Sequence, residues 1–325
     1  MQSSSIFSAL RKSYIGRNLR NEITKWPSYQ QIPNPYSSDM FKSRVREALS
    51  LFSMTLTMDR DVKQRIRLSK TLKNSCANPV LIIGGGPSAK SITMEQVSLF
   101  RKNGGSVAVM NNFFRSEISK TLTPDYYFVV DPDYWNPIYK ASEFDREHLA
   151  RYIDSCGSQL RVVQPAVFDP ISLNHSNYIY VDGRSSQGLI RRARPDKPWG
   201  LPAAVALYSI STLKFLGHRD VFFSGLDSNF INFFFVDDLN RVVNRPQGQH
   251  FYKDDEDISD YLELLESETN RPLPFRHLAD LYYAHGIFLR DLYWLTRDNC
   301  INVGNDQSND SAPRACLLPR NDLDS

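Results

Sequence analysis

Short, mostly apolar runs alternate with amphipathic stretches from about residue 79 to residue 305. The runs are Val80–Ile83, Val107–Met110, Tyr126–Val130, Leu160–Val163, Tyr178–Val181, Val221–Ser224 and Cys300–Val303. Segments this short and this apolar predict strands buried on both faces of a sheet. Helical periodicity lies between several of them, and that alternation predicts an α/β fold with a mostly parallel sheet flanked by helices. The stretch 201–216 is apolar at Ala203, Val205, Leu207, Ile210, Leu213 and Phe215, so it is expected as a helix buried against the sheet, with Gly217 as its C′ residue. A second helix is expected over 278–295, on Leu281, Ile287, Phe288, Leu292 and Leu295.

The ends and the middle of the chain read differently. Residues 5–25 predict a short basic helix, broken by Pro27, Pro33 and Pro35. Residues 39–73 carry a helical apolar stripe (Phe41, Val45, Leu49, Phe52, Leu56, Ile66, Leu68, Leu72) with Asp39 as a candidate N-cap. Residues 228–276 are long and polar, with an acidic run at Asp254–Asp260 and an expected helix at Ile258–Ser267; a segment of that length inside an α/β domain reads as a lid. The expected organisation is a basic helical extension (1–78), a catalytic domain (79–305) with its lid at 228–276, and a disordered tail (306–325). No internal repeat is present.

Composition adds bounds. Among 325 residues, hydrophobics make up 41% and aromatics 12%, enough for a substantial core, which argues against global disorder. No apolar run reaches the roughly 18 residues needed to span a bilayer, and Met1–Leu10 is too polar for a secretory leader. The four cysteines (Cys76, Cys156, Cys300, Cys316) share no ligand spacing, so free thiols and a reducing, cytoplasmic compartment are expected. Residues 1–74 hold 14 Lys/Arg against 5 Asp/Glu, a net +9 in a chain of net +3, which leaves −6 for the rest. That asymmetry suggests peripheral contact with the anionic inner face of a membrane, the plainer alternative being a solvated pair of helices. No nucleic-acid motif accompanies it.

Candidate chemistry gathers where the strands end. Gly84, Gly85 and Gly86 close the first strand, with Pro87 and Ser88 opening the next element. Strand, glycine turn and helix start would set free N–H groups and a positive dipole end against a phosphate. The spaced dinucleotide pattern is absent: Ala89 stands where a third spaced glycine would fall, and the next strand ends in Asn111-Asn112 rather than an acid. Asparagine offers donor and acceptor to a base or sugar edge. Asp131 and Asp133 could hold Mg²⁺ or Mn²⁺, or serve only as turn residues. Asp227 follows the strand at 221–224. His250, in the lid, is the first candidate for a general base, and His277 the second. Arg191, Arg192, Arg194 and Lys197 precede the 201–216 helix and are candidates for holding a phosphate, or are solvated.

The ordered segments Ile83–Ser88, Met110–Phe114, Phe128–Pro132, Trp199–Leu201 and Phe223–Asp227 resemble those of bacterial sialyltransferases of glycosyltransferase family 42. They also resemble the related motility-accessory-factor glycosyltransferases and hydroxymethylpterin-diphosphokinase-like proteins. The resemblance covers about residues 79–305. It implies a Rossmann-like domain with a lid, and inverting transfer from a CMP-sugar without a metal cofactor. By it, Gly84, Gly85, Gly86, Pro87, Ser88 and Asn111 would contact the nucleotide and phosphate, Asp131 falls where the sialyltransferases carry an asparagine, Gly200 falls in the stretch that holds the cytidine, and His250 would deprotonate the acceptor hydroxyl. Asn112 and Asp227, at the same sheet edge, complete the nucleotide-binding candidates. Two departures stand out. The sialyltransferases hold the departing phosphate with two tyrosines after the Ser-Gly-x-Asp segment, whereas Ser228–Phe235 has none; Tyr252, Arg245 or Lys253 would have to substitute. Trp199 occupies the position of a nucleotide-binding serine.

The expected function is therefore a cytoplasmic glycosyltransferase taking a sugar from a nucleotide-activated donor, with a glycan or glycoprotein as acceptor. Two alternatives stay open: a Mg²⁺-dependent pyrophosphokinase-like enzyme using Asp131 and Asp133, and an inactive nucleotide-binding or membrane-docking protein.

Overall fold

The computed structural model describes residues 55–56, 58–135, 146–183, 194–197, 205–226, 234–236, 242–244, 292, 295–296 and 300–303. Among them are strands β1 (Val80–Ile83), β2 (Ser106–Met110), β3 (Tyr126–Phe128), β4 (Arg161–Pro165), β5 (Tyr178–Val181), β6 (Val221–Ser224), β7 (Phe234–Val236), β8 (Val242–Asn244) and β9 (Cys300–Asn302). Four α-helices accompany them: α1 (Arg60–Thr71), α2 (Met94–Lys102), α3 (Arg146–Ser155) and α4 (Val205–Leu216). All seven strands anticipated from the apolar runs form one sheet, in the order β5-β4-β3-β2-β1-β6-β9, with every neighbouring pair parallel. This is a Rossmann-like α/β sheet.

Alternation along β1 explains the two-layered core. Val80 and Ile82 face the layer that contains Leu207, Ile210 and Leu213 of α4. Leu81 and Ile83 face the opposite layer, with Val97 of α2 and Leu149 and Ile153 of α3. All four β1 residues are buried, and each such side chain contributes about 1.5–3 kcal/mol relative to exposure. α4 buries eight of its twelve residues, as its nearly continuous apolar sequence demands. It ends at Gly217 with φ +110°, where Gly217 N–H reaches Lys214 O at 3.1 Å and His218 N–H reaches Leu213 O at 3.1 Å. Those two bonds are the Schellman arrangement, so the C′ assignment of Gly217 holds.

Two elements depart from the sequence reading. Pro87 does begin a helix, but it is a five-residue 3-10 turn, Pro87–Ser91. The α-helix starts only at Met94, where Thr93 and Gln96 form a reciprocal capping box. In the polar 228–276 segment, β7 and β8 pair antiparallel, Phe235 opposite Val243. The signal was there: two aromatic or β-branched runs separated by five residues, Asp237–Arg241, a length that suits a hairpin loop.

α1, from the basic part of the chain, packs along the β5 edge. Ser69 Oγ accepts the Tyr180 N–H at 2.7 Å. Arg65 Nη1 donates to Ala166 O at 3.1 Å and Phe168 O at 3.0 Å, and its guanidinium lies 5.1 Å from the Tyr180 ring centroid. Among the described residues no helix is long and apolar enough to cross a membrane. The expected N-terminal helix, the Asp39 cap, the 258–267 helix, most of the 278–295 helix and the tail lie outside the described residues.

Candidate functional site

In an open parallel sheet the ligand crevice lies beyond the carboxyl ends of the strands, where the strand order reverses. Here the reversal falls between β1 and β6, the first and sixth strands of the chain lying side by side. The turns that leave these two strands therefore form the floor of the candidate site.

The two turns are fastened to each other. Gly84 N–H donates to Ser224 O at 2.8 Å, and Gly86 N–H to Gly225 O at 2.8 Å. Ser224 Oγ donates to Ser88 O at 3.0 Å, and Gly225 N–H donates to Ser88 Oγ at 2.8 Å. A Cβ on Gly84 would stand 2.3 Å from Gly225 O, and one on Gly225 would stand 2.7 Å from Gly84 O. The glycines at 84 and 225 are thus required by backbone lying against backbone. The turn expected to cradle a phosphate is therefore built first around this contact between the two turns. Gly84, Gly86 and Ser88 use their polar groups on the β6 turn, and the short Pro87–Ser91 helix has no extended dipole to offer. Gly85 is the one glycine of the three whose N–H makes no hydrogen bond among the described residues.

β2 ends beside this floor. Asn111 adopts φ +45°, a left-handed conformation that asparagine tolerates better than most residues. Its carbonyl accepts the Tyr127 hydroxyl at 2.5 Å, and that hydroxyl in turn accepts Phe114 N–H at 3.2 Å. Tyr127 is fully buried, so the strained turn is held from beneath. The Asn111 side-chain oxygen is buried and has no hydrogen-bond partner among the described residues. An unmet buried acceptor costs about 1–3 kcal/mol, so Asn111 Oδ1 is a candidate contact for a ligand donor. Asn112 behaves differently: it is 3% exposed, and its Oδ1 accepts the Tyr134 hydroxyl. Its amide oxygen ties the segment after β3 to the turn after β2.

Asp131 is half-buried just past β3, in the position foreseen. The backbone at Asp133 belongs to a 3-10 turn, Pro132–Trp135, pinned through Trp135 Nε1 to Asp169 O at 2.8 Å and by stacking of Trp135 on Phe168 at 4.5 Å. No group of three or more His, Cys, Asp or Glu suited to a metal occurs among the described residues. Arg194, read as a phosphate-holding cation, is instead clamped by Asp196, with contacts of 2.9 Å and 2.7 Å. Gly200, Asp227, Arg245, His250, Tyr252, Lys253 and His277 lie outside the described residues, as do Arg191 and Arg192.

One acid at the carboxyl edge went unnoticed in the sequence. Asp182 follows β5 and is 2% exposed, and its charge acts on the fully buried Tyr208 of α4. Burial first, then that carboxylate, pushes the Tyr208 hydroxyl well above its ordinary range. The signal was a strand followed at once by Asp182-Gly183, the same punctuation that drew notice after β3 and β6.

Comparison with protein-family models, with curated proteins and with solved structures finds no match for this chain.

Proposed function

We propose that the chain is a glycosyltransferase that binds a nucleotide-activated sugar over the carboxyl ends of β1, β2 and β6, with a CMP-sugar as the favoured donor. The single observation that carries this reading is Asn111: a strained residue beside the switch point, presenting a buried side-chain oxygen with no partner among the described residues. A nucleobase or sugar donor group there would satisfy it. The phosphate is assigned to Gly85 and to the cations and hydroxyl of Arg245, Lys253 and Tyr252. Base duty falls to His250, with His277 as its alternate. Transfer from the nucleotide, rather than simple binding, rests on the resemblance of the segments Ile83–Ser88 and Phe223–Asp227 to sialyltransferases.

The test pairs a ligand screen with one substitution. Thermal shifts are measured against CMP-, UDP- and GDP-sugars and ATP, with and without Mg²⁺. A cognate nucleotide at a hundredfold excess over its Kd stabilises by about 2.7 kcal/mol. Asn111→Gly keeps the left-handed backbone while deleting the orphan oxygen, so the unliganded protein should be as stable as before or slightly more so. Its nucleotide-induced shift should shrink by more than half. No shift with any nucleotide, or an undiminished one in Asn111→Gly, overturns the reading.

A further inference from the structure

α1 turns two unlike faces to its surroundings. Arg65 and Ser69 fasten one of them to the segment after β4 and to β5. The other carries Arg60, Lys63, Arg67 and Lys70, at positions i, i+3, i+7 and i+10. At 3.6 residues per turn those spacings keep all four cations within about 80° of the helix surface, a single stripe. Arg60, Arg67 and Lys70 are exposed and Lys63 is half-buried. Asp61 is the one acid in the helix. None of the four basic side chains makes a hydrogen bond or an ion pair among the described residues. Like charges three and four residues apart weaken a helix, and an anionic surface laid along the stripe would relieve that repulsion.

The neighbouring side chains indicate which anionic surface. Leu68 is 58% exposed in the row beside the stripe, next to Gln64 and Thr71, and Leu56, just before α1, is 55% exposed. Apolar side chains set among cations suit a bilayer, whose headgroups meet the charges while its acyl chains receive the leucines. The aromatic side chains on which the bases of single-stranded nucleic acids stack are absent from α1. The charge also extends beyond the helix: residues 1–54 hold eight Lys/Arg against three Asp/Glu.

We propose that the outward face of α1 is a docking surface for an anionic phospholipid bilayer, with Arg60, Lys63, Arg67 and Lys70 on the headgroups and Leu68 entering between them. Because Ser69 meets an edge amide of β5, α1 lies in the prolongation of the sheet and its stripe points away from the strands. Docking therefore lays the β5 margin on the membrane with the strands running along it. Whatever the crevice at the carboxyl ends binds, it then opens along the bilayer surface, where a lipid-borne molecule could reach it.

The full chain is sedimented with vesicles of phosphatidylcholine alone and with vesicles in which about 30% of the lipid is phosphatidylserine. The anionic vesicles should carry the protein down and the neutral ones should not. Affinity should fall at least tenfold in about 0.5 M NaCl, where the screening length is about 4 Å. Arg67→Gln combined with Lys70→Gln should weaken binding roughly thirtyfold. Lys102→Gln combined with Arg151→Gln removes the same charge from exposed positions of α2 and α3 and should change binding less than twofold. Leu68→Ser should cost roughly tenfold. No binding to anionic vesicles, or an equal loss in the two paired variants, overturns the proposal. So does tighter binding to a DNA duplex than to the vesicles, which would assign the stripe to nucleic acid. Glutamine is a good helix former, so the paired variants should unfold cooperatively. Should they not, acetic anhydride labelling of the unaltered chain decides: anionic vesicles should shield Lys70 and leave Lys102 reactive, and equal reactivity of the two lysines defeats the assignment.

Discussion

Gly225 illustrates how one residue can be fixed by two separate demands. Its φ of +75° excludes easy substitution, and its Cα faces the Gly84 carbonyl so closely that a methyl group would stand 2.7 Å from that oxygen. Gly225→Ala should therefore cost about 3 kcal/mol, more than a strained backbone alone. Urea unfolding would register this as a lower midpoint at unchanged slope. A loss under about 0.5 kcal/mol would show that the two turns can part without penalty. The neighbouring Ser88 makes a related point about polar residues: its hydroxyl oxygen accepts the Gly225 N–H at 2.8 Å, so a serine in a glycine-rich turn need not be reaching for a ligand. Residue type at this turn was legible in the sequence; the partner each atom chooses was not, because the partners lie more than 130 positions away.

At the level of elements, α1 closes an edge that would otherwise carry unpaired amides. The Tyr180 N–H on β5 is met by Ser69 Oγ rather than by another strand, which guards the sheet margin against pairing with a foreign chain. Ser69→Ala should cost about 1 kcal/mol and speed hydrogen exchange at the Tyr180 amide by roughly fivefold, leaving β1 amides unchanged. Exchange at Tyr180 equal to that of the unaltered protein would mean the bond is not what protects the edge. Elements were the most legible scale. Each strand of the seven-stranded sheet announced itself as a mostly apolar run; β1 to β4 are buried almost throughout and have no reason to alternate, while β5 alternates half-buried and buried positions yet keeps tyrosine at the former. β7 and β8 were missed since they sit among Asn, Asp and Arg, whose polarity overrode the brief aromatic and valine runs. The start of the helix after β1 was misjudged by several residues. Pro87 is equally at home opening a 3-10 turn, and only Thr93 with Gln96 supplies a true cap.

For the whole molecule, the buried His218 couples stability to pH. Burial first, offset in part by the Asn78 carbonyl, lowers its affinity for a proton in the folded state. The unfolded chain therefore binds that proton more readily. Above about pH 6.5 both states are neutral there and nothing is lost; as pH falls below that value, stability drains toward the unfolded state. Urea unfolding at pH 7.5, 6.5 and 5.5 should show declining free energy. His218→Gln should be less stable at pH 7.5, having lost a hydrogen bond, but should show a flatter acid limb. An equally steep decline in the variant would assign the pH dependence to other groups.

The placement of β1 carries a consequence for how the chain is made. Val80 pairs on one side with Ser106 and on the other with Val221. During synthesis the first flank is covered almost at once, and the second must wait until more than a hundred further residues have emerged. Throughout that interval a wholly apolar strand is a bare margin, open to any other nascent polypeptide nearby. Ribosomal pausing ahead of residue 221 would prolong that exposure, making the timing of translation as much a determinant of yield as the finished protein's stability.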